Sequence, residues 1–129
     1  MMELERLDHL VLTVRDLGAT CAFYERILGM RRQTFEKGRL ALRFGGQKIN
    51  LHPYPSPIDP KAAVPEPGTA DLCFIAQTPI EAVCDHLRAN GVAIEVGPKT
   101  TAGALGPMTS VYLRDPDGNL IEIANYQDG

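Results

Sequence analysis

The sequence contains one pattern of predicted secondary structure twice. Residues 7–14, LDHLVLTV, alternate so that Leu10, Leu12 and Val14 share one face of a predicted strand. Asp16 then precedes residues 17–29, whose apolar side chains recur every three or four positions, as in an amphipathic helix capped by Asp16. Three strand-like segments follow, and residues 70–127 repeat the order. The pattern therefore predicts an α+β fold of two tandem βαβββ modules.

A proline-rich stretch separates the two copies. Residues 53–69 hold six of the ten prolines in the chain. Because proline fixes its own backbone angle and donates no hydrogen bond, this stretch is interpreted as a linker. The length of 129 residues suits one domain. We therefore predict a single domain, 1–129, built from module one (5–52), the linker (53–69) and module two (70–127).

Charge and composition exclude several classes of protein. The formal net charge of −3 argues against non-specific nucleic-acid binding, which needs a basic face. No apolar run approaches the roughly 18 residues of a membrane span, and the N-terminus lacks an apolar signal core. These features predict a cytoplasmic protein without nucleic-acid or membrane partners. Cys21, Cys73 and Cys84 lie in apolar patterns without a CxxC pair, so we expect reduced thiols in the core.

The repeat also pairs polar residues of the two modules with each other. His9 and Asp71 occupy matching places in the first strand of each copy, and aligning Gly46 with Gly118 sets Asn50 opposite Glu122. His52 lies two residues beyond Asn50, on the same face of its strand. Two imidazoles and two carboxylates on four strands have the chemistry of a metal site. Glu122 is notable because it stands in an otherwise apolar strand, where a cation is a natural partner.

Three stretches carry a family resemblance that extends over nearly the whole chain. They are LDHLVLTVRDL, FYERILGM and LRDPDGNLIEIANY. With them the chain resembles the vicinal oxygen chelate superfamily, which includes glyoxalase I, extradiol dioxygenases, fosfomycin-resistance enzymes and bleomycin-binding proteins. The stretches FGGQKINLH, DPKAA and GALGPMTSVYLRDPDGNLIE are similar to a narrower branch, that of glyoxalase domain-containing protein 5 and related bacterial virulence-associated proteins.

The resemblance implies a cup-shaped mixed sheet of eight strands with a divalent metal at its floor. It also implies a homodimer and a small-molecule substrate that offers two adjacent oxygens to the metal. The chain departs from the family pattern at two positions. Asp71 stands where a histidine is usual, and Asn50 stands where glyoxalase I-like proteins often carry a glutamate.

The candidate site residues fall into three groups. The metal ligands are predicted from His9, His52, Asp71 and Glu122, with the choice of Asp71 or His52 as third ligand left open. Glu122 and Asp71 are the candidate catalytic residues, Asp71 as a general base if it is not a ligand. Asn50, Arg114 and Tyr112 are the candidate substrate contacts, although Arg114 is also expected to pair with a nearby aspartate. The glycine-rich residues 97–108 are interpreted as a connection or a lid.

Three functions are compatible with these residues. The first is a lyase, isomerase or dioxygenase that uses a divalent Fe, Mn, Ni or Zn ion. The second is a metal-free small-molecule binding or sequestration protein of the bleomycin-resistance type, which the low aromatic content of 6% disfavours. The third is a dimeric scaffold with a decayed site, suggested by the missing histidine at position 71. Neither the metal nor the substrate follows from the sequence.

Overall fold

The computed structural model describes residues 1–55 and 57–128, and these residues form two units, Met1–Pro67 and Gly68–Gly129. The elements in chain order are β1 (His9–Val14), α1 (Leu17–Arg26), β2 (Arg31–Phe35), a short 3-10 helix (Glu36–Gly38), β3 (Arg39–Phe44), β4 (Gln47–Pro53), β5 (Asp71–Ile75), α2 (Ile80–Ala89), β6 (Val96–Gly103), β7 (Gly106–Arg114) and β8 (Leu120–Tyr126). Within the described ranges, no helix is long and apolar enough to cross a membrane.

The first unit is a four-stranded mixed sheet covered by one helix. Its strand order is β1-β4-β3-β2, with β1 parallel to β4 and the other neighbours antiparallel. Asp16 caps α1 by accepting a hydrogen bond from the backbone N–H of Ala19 (2.9 Å), as the sequence predicts. Contacts of α1 with β2, β3 and β4 bury one face of the sheet, where Leu12, Val14 and Ile49 lie. Side chains of opposite parity occupy the other face.

The second unit repeats this arrangement. Its strand order is β5-β8-β7-β6, again with one parallel pair, β5 and β8. The apolar side chains Ile80, Val83, Cys84 and Leu87 of α2 are buried, and the helix contacts β7 and β8. Ile121 and Ile123 of β8 are buried in the core, so Glu122 between them projects from the opposite face. The predicted α+β class with two tandem βαβββ modules is confirmed.

Strand register supports the predicted correspondence between the modules. His9 lies opposite Lys48 in the β1–β4 pair, and Asp71 lies opposite Leu120 in the β5–β8 pair. Lys48 and Leu120 match each other when the hairpin glycines are aligned, as Asn50 and Glu122 do. His9 and Asp71 are therefore equivalent positions of the two sheets. The further prediction of a single domain over residues 1–129 stays a prediction.

The interpretation of residues 97–108 as a connection or a lid is wrong. Residues 97–108 were expected to be a connection or a lid, but they belong to a hairpin of β6 and β7 with its turn at residues 104–105. Residues 92–95 lie before β6 and have no strand structure. α2 begins after Pro79 with no side-chain cap. β6 is mostly exposed, so it lacks the apolar alternation that marks a buried strand.

The cysteines also differ from expectation at one position. Cys21 and Cys84 are buried in the core, as predicted, but Cys73 is exposed. Leu72 and Phe74 of β5 are half-buried while Asp71 and Cys73 are exposed. Strand alternation therefore sets Cys73 on the same face as Asp71, and it lies directly opposite Glu122 in the β5–β8 register.

Candidate functional site

Glu122 lies at the centre of one face of the second sheet. It has Cys73 of β5 as its neighbour on one side and Tyr112 of β7 on the other. Asp71 is two residues from Cys73 on the same side of β5. We call the surface formed by Asp71, Cys73, Tyr112 and Glu122 the Glu122 face. It gathers two carboxylates, a thiol and a phenol, whereas the opposite face of the sheet packs on α2.

Two hydroxyl groups of neighbouring strands, linked by a hydrogen bond, orient the Glu122 carboxylate. The Thr101 hydroxyl of β6 donates to Oε2 of Glu122 (3.1 Å), and the Thr101 oxygen lies 2.7 Å from the hydroxyl of Ser110. Because the Thr101 proton is used on the carboxylate, Ser110 is the donor in the second bond. Ser110 is fully buried, whereas Thr101 and Glu122 are half-buried, so the inner end of this hydroxyl chain is shielded from water. Hydrogen bonds that polarise one another in this way fix the orientation of the carboxylate.

Glu122 contributes to a raised pKa in both of its cross-strand neighbours, Cys73 and Tyr112. The pKa of the Cys73 thiol is raised to about 11, mainly by desolvation and then by the charge of Glu122 and a hydrogen bond with it. Desolvation and then Glu122 also raise the pKa of Tyr112 above its usual value. Both groups are therefore protonated near neutral pH and act as hydrogen-bond donors rather than as nucleophiles. The face is acidic, with a carboxylate flanked by two protonated donors.

The alkylation rate of the Cys73 thiol depends on the charge of Glu122 and can be used to test for it. With a pKa of about 11, roughly 0.1% of the thiol is ionised at pH 8, so alkylation by iodoacetamide should be slow although the sulfur is accessible. Glu122→Gln removes the negative charge and is expected to raise the alkylation rate roughly three- to tenfold. Intact-mass spectrometry follows the reaction, and the exposed Glu81→Gln serves as control. An unchanged rate in Glu122→Gln would contradict the described contact.

Arg114, predicted as a substrate contact, is engaged by a carboxylate of its own unit. Its Nε and Nη2 donate to the two oxygens of Glu95 at 3.1 and 3.0 Å, and its Nη1 donates to the carbonyl of Gly118. The partner is therefore Glu95 and not the adjacent aspartates. This bidentate pair holds the pKa of Glu95 below its usual value. Binding of a substrate carboxylate by Arg114 would have to displace Glu95.

His9 in the first unit has one ring nitrogen committed and is exposed. Its Nδ1 lies 2.8 Å from the carboxylate of Asp8. A carboxylate at this distance favours the tautomer with the proton on Nδ1, which leaves the lone pair of Nε2 for a metal. A histidine ligand of a metal is commonly oriented by such a partner. His9 therefore has the local chemistry of a ligand, although the pair is at the surface.

His52 has a different environment. It is 3% exposed, and its Nε2 lies 3.3 Å from Nη2 of Arg39, which can only donate. Nε2 is therefore an acceptor, and desolvation followed by the charge of Arg39 lowers the pKa of His52. A guanidinium in front of the lone pair is electrostatically unfavourable for a cation at the same nitrogen. Asn50, two residues earlier in β4, is also buried.

Within the described ranges, no three side chains of His, Cys, Asp or Glu converge on a common point as metal ligands would. Asp71 and Glu122 offer carboxylate oxygens in the second unit, whereas His9 and His52 belong to the first. Four residues of the site were not predicted from the sequence: Thr101, Ser110, Asp8 and Arg39. Counting back from the Gly45-Gly46 turn would have set Arg39 beside His52, whereas Thr101 required recognition of β6.

Comparison with known proteins gives close relatives over almost the full length. The chain is 52% identical over 125 residues to virulence protein STM3117 of Salmonella typhimurium, covering 97% of this chain and 87% of the relative. It is 48% identical over 127 residues to glyoxalase domain-containing protein RDO1 of Mycosarcoma maydis, covering 98% and 72%. The crystal structure of STM3117 matches with a TM-score of 0.96, covering 98% of this chain and all of that one.

More distant solved structures share the fold alone. They include lactoylglutathione lyase from Agrobacterium tumefaciens (23% identity, TM-score 0.72, 95% of each chain) and TnmS3, an antibiotic binding protein from Streptomyces sp. CB03234 (21%, 0.77, 98% of this chain and 100% of that one). The family described as glyoxalase/bleomycin resistance protein/dioxygenase superfamily matches residues 6–123. The chain therefore belongs to the glyoxalase/bleomycin resistance protein/dioxygenase superfamily.

Proposed function

We propose that the chain binds a small molecule with the help of a divalent cation. Asp71 and Glu122 of the second unit are its proposed carboxylate ligands, and His9 of the first unit is a separate candidate ligand. The observation that carries this proposal is the Glu122 face, where a carboxylate is set in an apolar strand and oriented by Thr101. Orienting a carboxylate with a hydroxyl that is itself held by Ser110 is typical support for a metal ligand. Family membership adds weight, since metal dependence is general in this superfamily.

Asp71 is preferred over His52 as the third ligand. Asp71 is exposed on the same face as Glu122, so its oxygens are available to a cation. His52 has its Nε2 turned toward Arg39, which repels a cation. Carboxylate oxygens and imidazole nitrogens are both donors that suit Fe, Mn, Ni or Zn. If Asp71 is not a ligand, its exposed carboxylate is the best placed general base on this face.

The chemistry would be that of the superfamily, in which a Lewis-acid cation polarises two adjacent oxygens of a substrate. The residues of this chain would orient that substrate. Tyr112 stays protonated because its pKa is raised, so it would donate a hydrogen bond to a substrate oxygen. Thr101 would keep Glu122 in place, and Asn50 would line the binding surface. These roles are compatible with lyase, isomerase or dioxygenase reactions.

Metal content of the purified protein tests the proposal. Tag-free protein prepared without chelator is expected to contain roughly one Fe, Mn, Ni or Zn ion per chain by inductively coupled plasma mass spectrometry. His9→Ala, Asp71→Asn and Glu122→Gln should each lower the occupancy at least about tenfold, as loss of a ligand does. His86→Ala and Glu81→Gln change the same residue types on α2 and should retain the metal.

A second candidate is a metal-free binding protein, favoured by the absence of three convergent ligand side chains among the described residues. The fold it shares with an antibiotic binding protein is compatible with this role. Each unit exposes apolar side chains to a ligand, Val11 in the first and Ile75 and Val96 in the second. Metal at background level in the parent protein, even after soaking with each ion, would contradict the cation proposal and favour this candidate.

The assembly and location remain predictions of the sequence. We propose a homodimer, which light scattering on a size-exclusion column would show as twice the chain mass of 14.1 kDa. Exposed apolar side chains, among them Val11, Ile75 and Val96, support a second copy as well as a ligand. We also propose a cytoplasmic location.

A further inference from the structure

The sheet of the first unit has an unusual charge composition. Its four strands carry five Lys and Arg residues and no Asp or Glu. The basic residues are Arg31, Arg32, Arg39, Arg43 and Lys48. Arg32 is neutralised by Glu25 of α1, at 2.8 Å. The other four alternate along their strands so that they share the face of Asn50, which is therefore positively charged. We call it the Asn50 face.

Arg39 is the most constrained cation on the Asn50 face. Its Nη2 is used on His52, and its guanidinium lies over the ring of Phe35, 5.1 Å from the ring centre. The ammonium of Lys48 lies over the same ring at 4.0 Å. These contacts hold the guanidinium plane in position. The Nε–H of Arg39 is buried and has no hydrogen-bond partner, which leaves a charged donor unsatisfied.

Asn50 provides a hydrogen-bond acceptor on the same face as the unsatisfied donor of Arg39. Its side chain is 6% exposed, and its Oδ1 is a buried acceptor without a partner. A buried acceptor or donor without a hydrogen-bond partner costs free energy of folding. Because one of each lies on the same face, a bound ligand that pairs with both would remove this cost. Arg39 is beside His52, and Asn50 is two residues from His52 in β4. Diagonal neighbours of this kind lie about 7–8 Å apart, which a small molecule can span.

We infer that Arg39 and Asn50 bind the acidic end of the substrate, a carboxylate with a hydroxyl on the adjacent carbon. The carboxylate accepts from the Nε–H of Arg39, and the hydroxyl donates to Oδ1 of Asn50. Arg39 is only half-buried, so part of its side chain is open to solvent on this face. The positive Asn50 face attracts the anion. This inference rests on the proposed small-molecule binding and names the substrate class as 2-hydroxycarboxylates.

Glycolate is the smallest probe with this chemistry, and nuclear magnetic resonance reads the two groups directly. In the purified full chain, glycolate is expected to shift the Nε–H signal of Arg39 and the side-chain amide signals of Asn50, saturating at roughly millimolar concentration. Acetate lacks the hydroxyl and glycolamide lacks the charge, so both should bind at least about tenfold more weakly. Sodium chloride keeps the ionic strength equal in all titrations.

Matched variants test the assignment. Arg39→Lys keeps the charge but removes Nε–H, and Asn50→Ala removes the acceptor, so each should weaken glycolate at least about tenfold. Arg43→Lys is the control, because Arg43 lies on the same strand and face but is exposed and already donates to Gln33. Its glycolate affinity should equal that of the parent. Folding of each variant is checked from its amide spectrum.

Several outcomes would overturn the inference. They are no shift at Arg39 or Asn50, equal responses to glycolate, acetate and glycolamide, and an equal loss in Arg43→Lys. An internal water that satisfies both groups would give the first of these results. Metal content measured on the same samples separates the two proposals. Full metal with an unresponsive Arg39 overturns this inference alone, whereas a responsive Arg39 without metal overturns the cation proposal alone.

Discussion

Replacing Asp115 with alanine is expected to lower the free energy of unfolding by about 3–5 kcal/mol. Asp115 is 5% exposed. Its Oδ1 accepts from the backbone N–H groups of Asp117 and Asn119, both at 2.9 Å, and its Oδ2 accepts from Nδ2 of Asn119 at 2.8 Å. Alanine would leave these donors unsatisfied, two of them on the buried Asn119, which is the costly way to lose hydrogen bonds.

The same turn also positions the start of β5. Oδ1 of Asn119 accepts from the backbone N–H of Ala70 at 2.9 Å, and the N–H of Leu120 donates to the carbonyl of Ala70. Loss of Asp115 should therefore loosen the strand that carries Asp71 and Cys73 as well as the turn. Urea unfolding followed by circular dichroism measures the effect, with the exposed Asp85→Ala as control. A change below about 1 kcal/mol in Asp115→Ala would show that the network is not buried in solution.

The fold was predictable because its main signals are local. The structure retains the alternation of apolar residues in 9–14 and 120–126 and the three-to-four spacing in the two helices. The buried faces of these elements follow the strand and helix periods. Gly45 adopts a positive φ of 49° in the turn between β3 and β4, as expected of the Gly45-Gly46 pair. β6 escaped prediction because it is an exposed edge strand of Gly, Pro, Lys, Thr and Ala, with no core to impose alternation.

The candidate site was predictable only in part. Strand alternation set Glu122 away from the core, and the repeat paired it with Asn50. The partners of Glu122 and of His52 depend on register between strands, which periodicity within one strand does not give. Thr101 reaches Glu122 across β7, and Arg39 reaches His52 across a hairpin. Cys73 could have been set on the Glu122 face from the alternation of Leu72 and Phe74.

Gly97 lies at the start of the β6–β7 hairpin, which the sequence did not predict, and allows that hairpin to contact the site around Glu122. It lies in the irregular part of the β6–β7 pair, between Val96 and Lys99, and has a φ of +99°. A Cβ built on Gly97 would meet the backbone carbonyl oxygen of Ser110 at 2.4 Å. That neighbour is main chain of a central strand and cannot rotate away. Only glycine therefore permits β6 to approach β7 closely enough for Thr101 to contact Ser110.

Gly97→Ala is consequently expected to destabilise the protein by about 2–4 kcal/mol, from the strained backbone and the clash together. Because β6 must move away from β7, the amide protons of Thr101 and Ser110 should also exchange faster with solvent, whereas those of β4 should not. Gly46→Ala is the matched control. Gly46 lacks a positive φ and a Cβ there meets nothing within 4 Å, so its stability should stay within about 1 kcal/mol of the parent. Equal stability and exchange in the two variants would mean that β6 is held by side chains alone, and the close backbone contact would lose its role in orienting Glu122.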